Sequence, residues 1–127
     1  MGTNAKIFTP EEIIQKQLEA YNARDIDAFM LNWANDALYF LHPSTLLASG
    51  AAEIRERHLI RFEEPNLFGR LISRTILNNT VVDIEIVSRT FPEGAGYIEA
   101  VCIYEVENNK IAKAWFIMGS PVLDPKQ

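Results

Sequence analysis

Cysteine occurs once in the 127 residues, at Cys102, and histidine twice, at His42 and His58. A lone cysteine excludes an internal disulfide and suits a reducing compartment, so a cytoplasmic location is expected. One cysteine and two histidines also fall short of the four ligands of a structural zinc site. Long apolar runs are missing: Ala37–Leu41 and Ala114–Met118 are each five residues, against the ~20 that span a bilayer. The first residues lack the basic-then-apolar layout of a secretory signal. There is no Lys/Arg run, and 12 Lys+Arg against 17 Asp+Glu leave a net charge of −5. That balance argues against nucleic acid as a partner. Repeats, low-complexity tracts and linkers are absent as well. The reading is one domain over 1–127 with an ordered core from about residue 8 to 120, large enough to bury roughly two-thirds of its unfolded surface.

The elements announce themselves by their caps and periods. Thr9-Pro10-Glu11-Glu12 has the layout of a capping box with proline at the first helical position. Ile14, Leu18 and Tyr21 then form an i, i+4, i+7 stripe beside Gln17. Asp25 caps a second short helix to about Ala34, with Ile26, Phe29, Met30 and Trp33 on its apolar face. Leu38–His42 reads as a strand stopped by Pro43, and a short extended piece follows at Leu46–Ala48. Gly50 opens a third helix carrying Ile54, His58 and Phe62 on one stripe, ended by Pro65-Asn66. The rest is strands: 68–77 and 80–91 around Asn78-Asn79, then 97–106 and 111–118 around Asn108-Asn109, with an extended tail. A two-residue turn at Asn78-Asn79 sets Arg74 opposite Asp83, read as a solvated sheet pair like Glu105/Lys113. The order predicts an α+β fold: three N-terminal helices packed on a strongly curved, mostly antiparallel sheet, a cone-shaped roll enclosing one pocket.

Alternation along the last hairpin sets the pocket wall. Ile98, Ala100, Cys102, Tyr104 and Val106 are read as inward, together with Ala112, Ala114, Phe116 and Met118. This parity is met by a three-residue turn at Glu107–Asn109; a strict two-residue turn would instead set Glu99, Val101 and Ile103 with Phe116. The first arrangement separates polar from apolar more cleanly. It leaves Val101, Ile103, Trp115 and Ile117 on an outer face too apolar for water, which predicts a homodimer through that face.

The residues 21–27 (Tyr-Asn-Ala-Arg-Asp-Ile-Asp), 33–37 (Trp-Ala-Asn-Asp-Ala), the strand ending His-Pro, Gly50, and 108–115 (Asn-Asn-Lys-Ile-Ala-Lys-Ala-Trp) together resemble the nuclear-transport-factor-2-like superfamily. The branch they are most similar to is the ketosteroid-isomerase-like and SnoaL-like (polyketide-cyclase-like) one, over roughly residues 8 to 120. The resemblance implies fold more than activity. Ketosteroid isomerases pair an aspartate base with a tyrosine and a protonated aspartate. Carried across, the base falls on His42, the tyrosine on Gln17, the protonated acid on Cys102 and a further tyrosine on His58. None of the four is retained, so steroid isomerisation is not expected.

What the substituted site implies is cofactor-independent proton transfer on a small hydrophobic or aromatic carbonyl compound, of isomerase, cyclase or dehydratase type. His42 is the candidate base, because imidazole exchanges protons near neutral pH. His58, on the helix stripe, would act beside it or stand as a satisfied core histidine. Gln17 offers a donor and an acceptor to a ligand carbonyl. Tyr21, Trp33, Phe40, Cys102, Tyr104, Phe116 and Met118 would line the pocket, with Cys102 more a small buried hydrophobe than a nucleophile. No cofactor or metal is expected. The alternative is a non-catalytic small-molecule binding or dimeric interaction module.

Overall fold

In a computed structural model describing residues 6–126, the first helix, α1 (Pro10–Ala23), begins at the expected capping box. Thr9 Oγ1 accepts from the Glu12 amide at 3.1 Å and Glu12 Oε1 from the Thr9 amide at 2.9 Å. Arg24, in the left-handed region at φ 57°, ends α1, and Asp25 caps α2 (Ile26–Met30). That helix stops at Met30 rather than near Ala34. The Asn32 carboxamide turns back to donate to the Ala28 carbonyl at 3.0 Å, satisfying an end group that a further helical turn would have taken. Trp33 therefore opens β1 (Trp33–Leu41) instead of closing a helix face. β2 (Thr45–Ser49) and α3 (Ala51–Arg61) follow, then β3 (Phe68–Leu77), β4 (Thr80–Phe91), β5 (Gly94–Glu107), β6 (Lys110–Met118) and a short β7 (Val122–Leu123) from the extended tail.

The strand order is β2-β1-β6-β5-β4-β3, with β7 added beside the start of β5. β1 and β6 run parallel and the other neighbouring pairs antiparallel. The expectation of a cone-shaped, strongly curved roll is overturned by this order. The sheet is mixed and open, its path ending at β2 on one side and β3 on the other, and it is neither closed nor strongly curved. Long strands had suggested wrapping; what covers the core instead is the layer of helices laid against one face.

Both asparagine turns form. Asn78-Asn79 joins Leu77 to Thr80 directly, so Arg74 lies opposite Asp83 as expected. At Asn108-Asn109 both residues take positive φ (51° and 63°), the pairing of a two-residue hairpin turn. The expected three-residue turn is thus corrected. Glu107 pairs with Lys110 and Val106 with Ile111, and the extra residue is accommodated one step later, as a bulge at Ala112. Beyond the bulge Cys102 lies opposite Phe116 and Tyr104 opposite Ala114. The inward parity of β5 holds with the bulge moved from the turn into the strand.

The core sits between the helices and this inner face, centred on Phe29, Ile13, Ile14, Ile54, Val81 and Ile111, all buried. Removing a Phe29-sized side chain from water stabilises the fold by about 1.5–3 kcal/mol. Rings stack in a chain across the layer: Phe29–Trp33 centroids are 5.9 Å apart, Trp33–Tyr39 5.8 Å and Tyr39–Phe116 4.5 Å.

Candidate ligand cavity

Within that layer lies a cavity of about 50 Å³, several times what a single water needs. Gln17 and Tyr21 reach it from α1, Phe29 from α2, Trp33 and Tyr39 from β1, and His58 and Arg61 from α3. From the sheet come Glu85, Val87 and Arg89 of β4, Ala100, Cys102 and Tyr104 of β5, and Phe116 and Met118 of β6. Of the residues expected at the site, Gln17, Tyr21, Trp33, His58, Cys102, Tyr104, Phe116 and Met118 are brought together here. Two are not. Phe40 faces the outer side, where its ring stacks on Trp115 at 5.7 Å and 12°, because alternation along β1 turns Tyr39 inward. His42 lies past the end of β1, exposed, its backbone amide donating to the Phe116 carbonyl at 2.9 Å. It is not part of the cavity wall, so the two histidines do not converge.

His58 is enclosed, 3% exposed, with Phe29 at 4.5 Å and Tyr39 at 5.7 Å between centroids. Its Nδ1 lies 2.8 Å from the Ile54 carbonyl, which can only accept, so Nδ1 carries the hydrogen and Nε2 is left as an acceptor. Burial pulls its pKa down to about 4; the Ile54 bond opposes this and the Arg61 and Arg57 charges add to it. At neutral pH His58 is therefore an uncharged imidazole. Burial likewise pushes the Tyr21 hydroxyl to about 12, against the nearby Arg61 charge. It also raises the Cys102 thiol well above its ordinary range, which leaves the sulfur unreactive.

The group that titrates where a catalyst needs it is one the residue patterns did not single out. β4 turns Val81, Asp83, Glu85 and Val87 to the helix side and leaves Val82, Ile84 and Ile86 outside. Glu85 is 6% exposed. Burial first, and the Asp83 carboxylate second, push it up to about 7, while the Cys102 thiol and the Arg74 charge pull the other way. Its carboxyl occupies space that only a glycine leaves open: a Cβ on Gly69 of β3 would stand 2.9 Å from Glu85 Oε1. Asn22 fixes that glycine, its Oδ1 accepting from the Gly69 amide at 2.8 Å and its Nδ2 donating to the Gly69 carbonyl at 2.9 Å.

Asp83, 0% exposed, takes two bonds from Arg74, 2.7 Å from Nε and 2.9 Å from Nη2, and Arg74 Nη1 donates to Gln15 at 2.9 Å. The pair read as solvated is in fact buried, because β4 presents Asp83 to α1 rather than to water. The Trp33 indole N–H is buried without a hydrogen-bond partner among the described residues.

Fold and site together define a helix-on-sheet domain of the nuclear-transport-factor-2-like, or cystatin-like, fold with a cavity between its layers. No family model and no curated protein matches the sequence; the likeness lies in solved structures. An uncharacterized cystatin-fold protein from Novosphingobium aromaticivorans superposes with a TM-score of 0.79 at 20% identity, over 87% of this chain and 99% of that one. A putative SnoaL-like polyketide cyclase from Shewanella putrefaciens gives 0.77 at 12%, over 90% and 92%. A putative ketosteroid isomerase from Kribbella flavida gives 0.73 at 15%, over 93% and 83%. At these identities the likeness is one of fold.

Proposed function

We propose that this protein binds a small, flat, largely apolar carbonyl compound in the cavity and that Glu85 exchanges a proton with it. The observation that carries this reading is the placement of one buried carboxyl among aromatic walls, held clear by Gly69. A carboxyl titrating near neutral pH serves equally as acid and as base. Gln17, a neutral donor and acceptor in the same cavity wall, suits a carbonyl oxygen on which negative charge develops. The chemistry is abstraction of a proton α to the carbonyl by Glu85 and its return to the same or a neighbouring carbon. In this reading Glu85 takes the role first expected of His42.

The wild-type protein is expected to accelerate exchange of the carbon-bound protons of acetylacetone with D2O, followed by NMR. Glu85→Gln should slow that exchange by about a hundredfold or more. An exchange rate that is the same in both proteins overturns the proposal.

The outer face of the sheet supports a second element of the reading, assembly as a homodimer. Cross-strand register aligns Val82, Ile103, Trp115 and Phe40 in one transverse row and Ile84, Val101 and Ile117 in the next. Ile84 and Ile117 remain 44% and 42% exposed, a density of apolar surface that marks an interaction site. Trp115→Glu is expected to halve the sedimenting mass; a wild type that sediments as a monomer removes this part.

A further inference from the structure

We infer that the ligand of the cavity carries a carboxylate, received by the guanidinium groups of Arg61 and Arg89, while its uncharged polar end meets Glu85. This deepens the reading of the cavity as a small-molecule site and rests on it.

The argument is one of charge placement. A chain with a net charge of −5 nonetheless puts two arginines into the wall of an apolar cavity, and Glu85 is the carboxyl that shares this wall with them. Arg61 comes from the last turn of α3 and Arg89 from β4, on the same strand face as Glu85. Four residues along a strand set the backbones of Glu85 and Arg89 about 13 Å apart, with both side chains in the cavity wall. Phe29, Tyr39 and Phe116 lie in the wall beside them.

Behind the arginines stands Glu64, outside the cavity wall. It takes two bonds from Arg89, both 2.8 Å, through Nε and Nη2, and lies 3.6 Å from Arg61 Nε, beyond hydrogen-bond reach. One carboxylate thus backs two cations, and a guanidinium has five N–H donors. Outside, a surface groove continues from the same two arginines and adds Arg57, Glu53 and Glu56. Its charges balance, Arg57, Arg61 and Arg89 against Glu53, Glu56 and Glu64, so the two arginines of the cavity wall face both spaces. The Arg61 charge is felt inside the cavity, where it acts on Tyr21, Tyr39 and His58 alike. Half-buried guanidinium groups such as these are suited to a planar carboxylate, which they bind in a forked geometry that lysine does not reproduce. With so small a volume, the class of ligand is a monocyclic aryl or short-chain keto acid.

Calorimetric titration at pH 7.5 with 4-oxo-4-phenylbutanoate and with its neutral carboxamide tests the assignment. The anion should bind at least about tenfold more tightly than the amide. Arg61→Gln should erase that preference while leaving the amide's affinity within about threefold, and Arg61→Lys should restore part of it. Arg89→Gln, checked for folding by its thermal transition, should weaken the anion in the same direction. Equal binding of acid and amide overturns the carboxylate assignment and leaves the cavity reading standing, as does a preference that survives both glutamine variants. If neither compound binds, the cavity reading falls and the assignment with it.

Discussion

Alanine at Arg74 is expected to lower the free energy of unfolding by about 3–5 kcal/mol, the range for removing one partner of a buried ion pair. The magnitude follows from what is left behind. Asp83 is wholly enclosed, and the two bonds it accepts from Arg74, at 2.7 and 2.9 Å, are what allow a carboxylate to remain there. With the guanidinium gone, Asp83 has Glu85 as its neighbour on the same strand face, and like charges in a low-dielectric layer repel. Gln15 also loses one of the bonds that tie α1 to the sheet. Replacing both partners, as in Arg74→Met with Asp83→Leu, should recover most of the loss, because the unpaired charge disappears with its solvation cost. Urea unfolding of the two variants decides the matter. A single variant within 1 kcal/mol of wild type would show that the pair is solvated after all.

Glu85→Gln is expected to have no effect on stability at pH 4.5 and to raise it by about 3 kcal/mol at pH 8. In the folded chain the carboxyl is pushed from 4.5 to about 7, so between those values the folded state holds a proton that the unfolded state has released. Stability from this group is complete below pH 4.5 and drains away as the pH rises through 7. His58 works in the opposite direction. Its folded value of about 4 against 6.5 unfolded means that stability falls as the pH drops through that interval, because only the unfolded imidazole takes up the proton. The two contributions oppose each other where their intervals overlap, between about pH 4.5 and 6.5, so the wild-type profile should be shallower there than that of the variant. Removing Glu85 uncovers the histidine slope, so the variant should gain stability steadily up to about pH 6.5. Urea midpoints across this range test it; a Gln variant less stable than wild type at pH 8 would mean that the ionised carboxylate is well solvated in place.

These two buried carboxyls also show where sequence reasoning stops. Cap chemistry and hydrophobic period were enough for α1, for the long strands and for the Arg74–Asp83 register, since each depends on neighbours in the chain. The inward parity of β5 was legible because one face of that strand is plainly the more apolar. On β4 the same criterion misleads. Val82, Ile84 and Ile86 form the more aliphatic set, yet they face out, and Asp83 and Glu85 face in. The signal that resolves it is two-dimensional: Val82 and Ile84 continue the rows of Ile103, Trp115, Val101 and Ile117 across the sheet. Reading the outer apolar patch of β5 and β6 one strand further would have turned both carboxyls inward. Nothing local encodes the exposure of His42, which depends on β1 running parallel to β6 and ending opposite Phe116. The openness of the sheet has the same origin, being a property of which strands pair rather than of any strand alone.

The bulge at Ala112 has a consequence for chain length. Between Ile111 and Lys113, β6 carries one residue more than β5 opposes, since Val106 and Glu105 are the consecutive partners of those two. A strand of regular pleat would have Ile111 followed at once by Lys113, with Ala114 and Phe116 facing as they do now. Loss of Ala112 is therefore a frame-neutral event for the ladder, whereas loss of Ala114 would carry Trp115 and Ile117 toward the helices and Phe116 toward solvent. The hairpin holds its own spare residue, and the identity of both faces of the sheet, helix side and outer side, is insulated from a deletion at that one point.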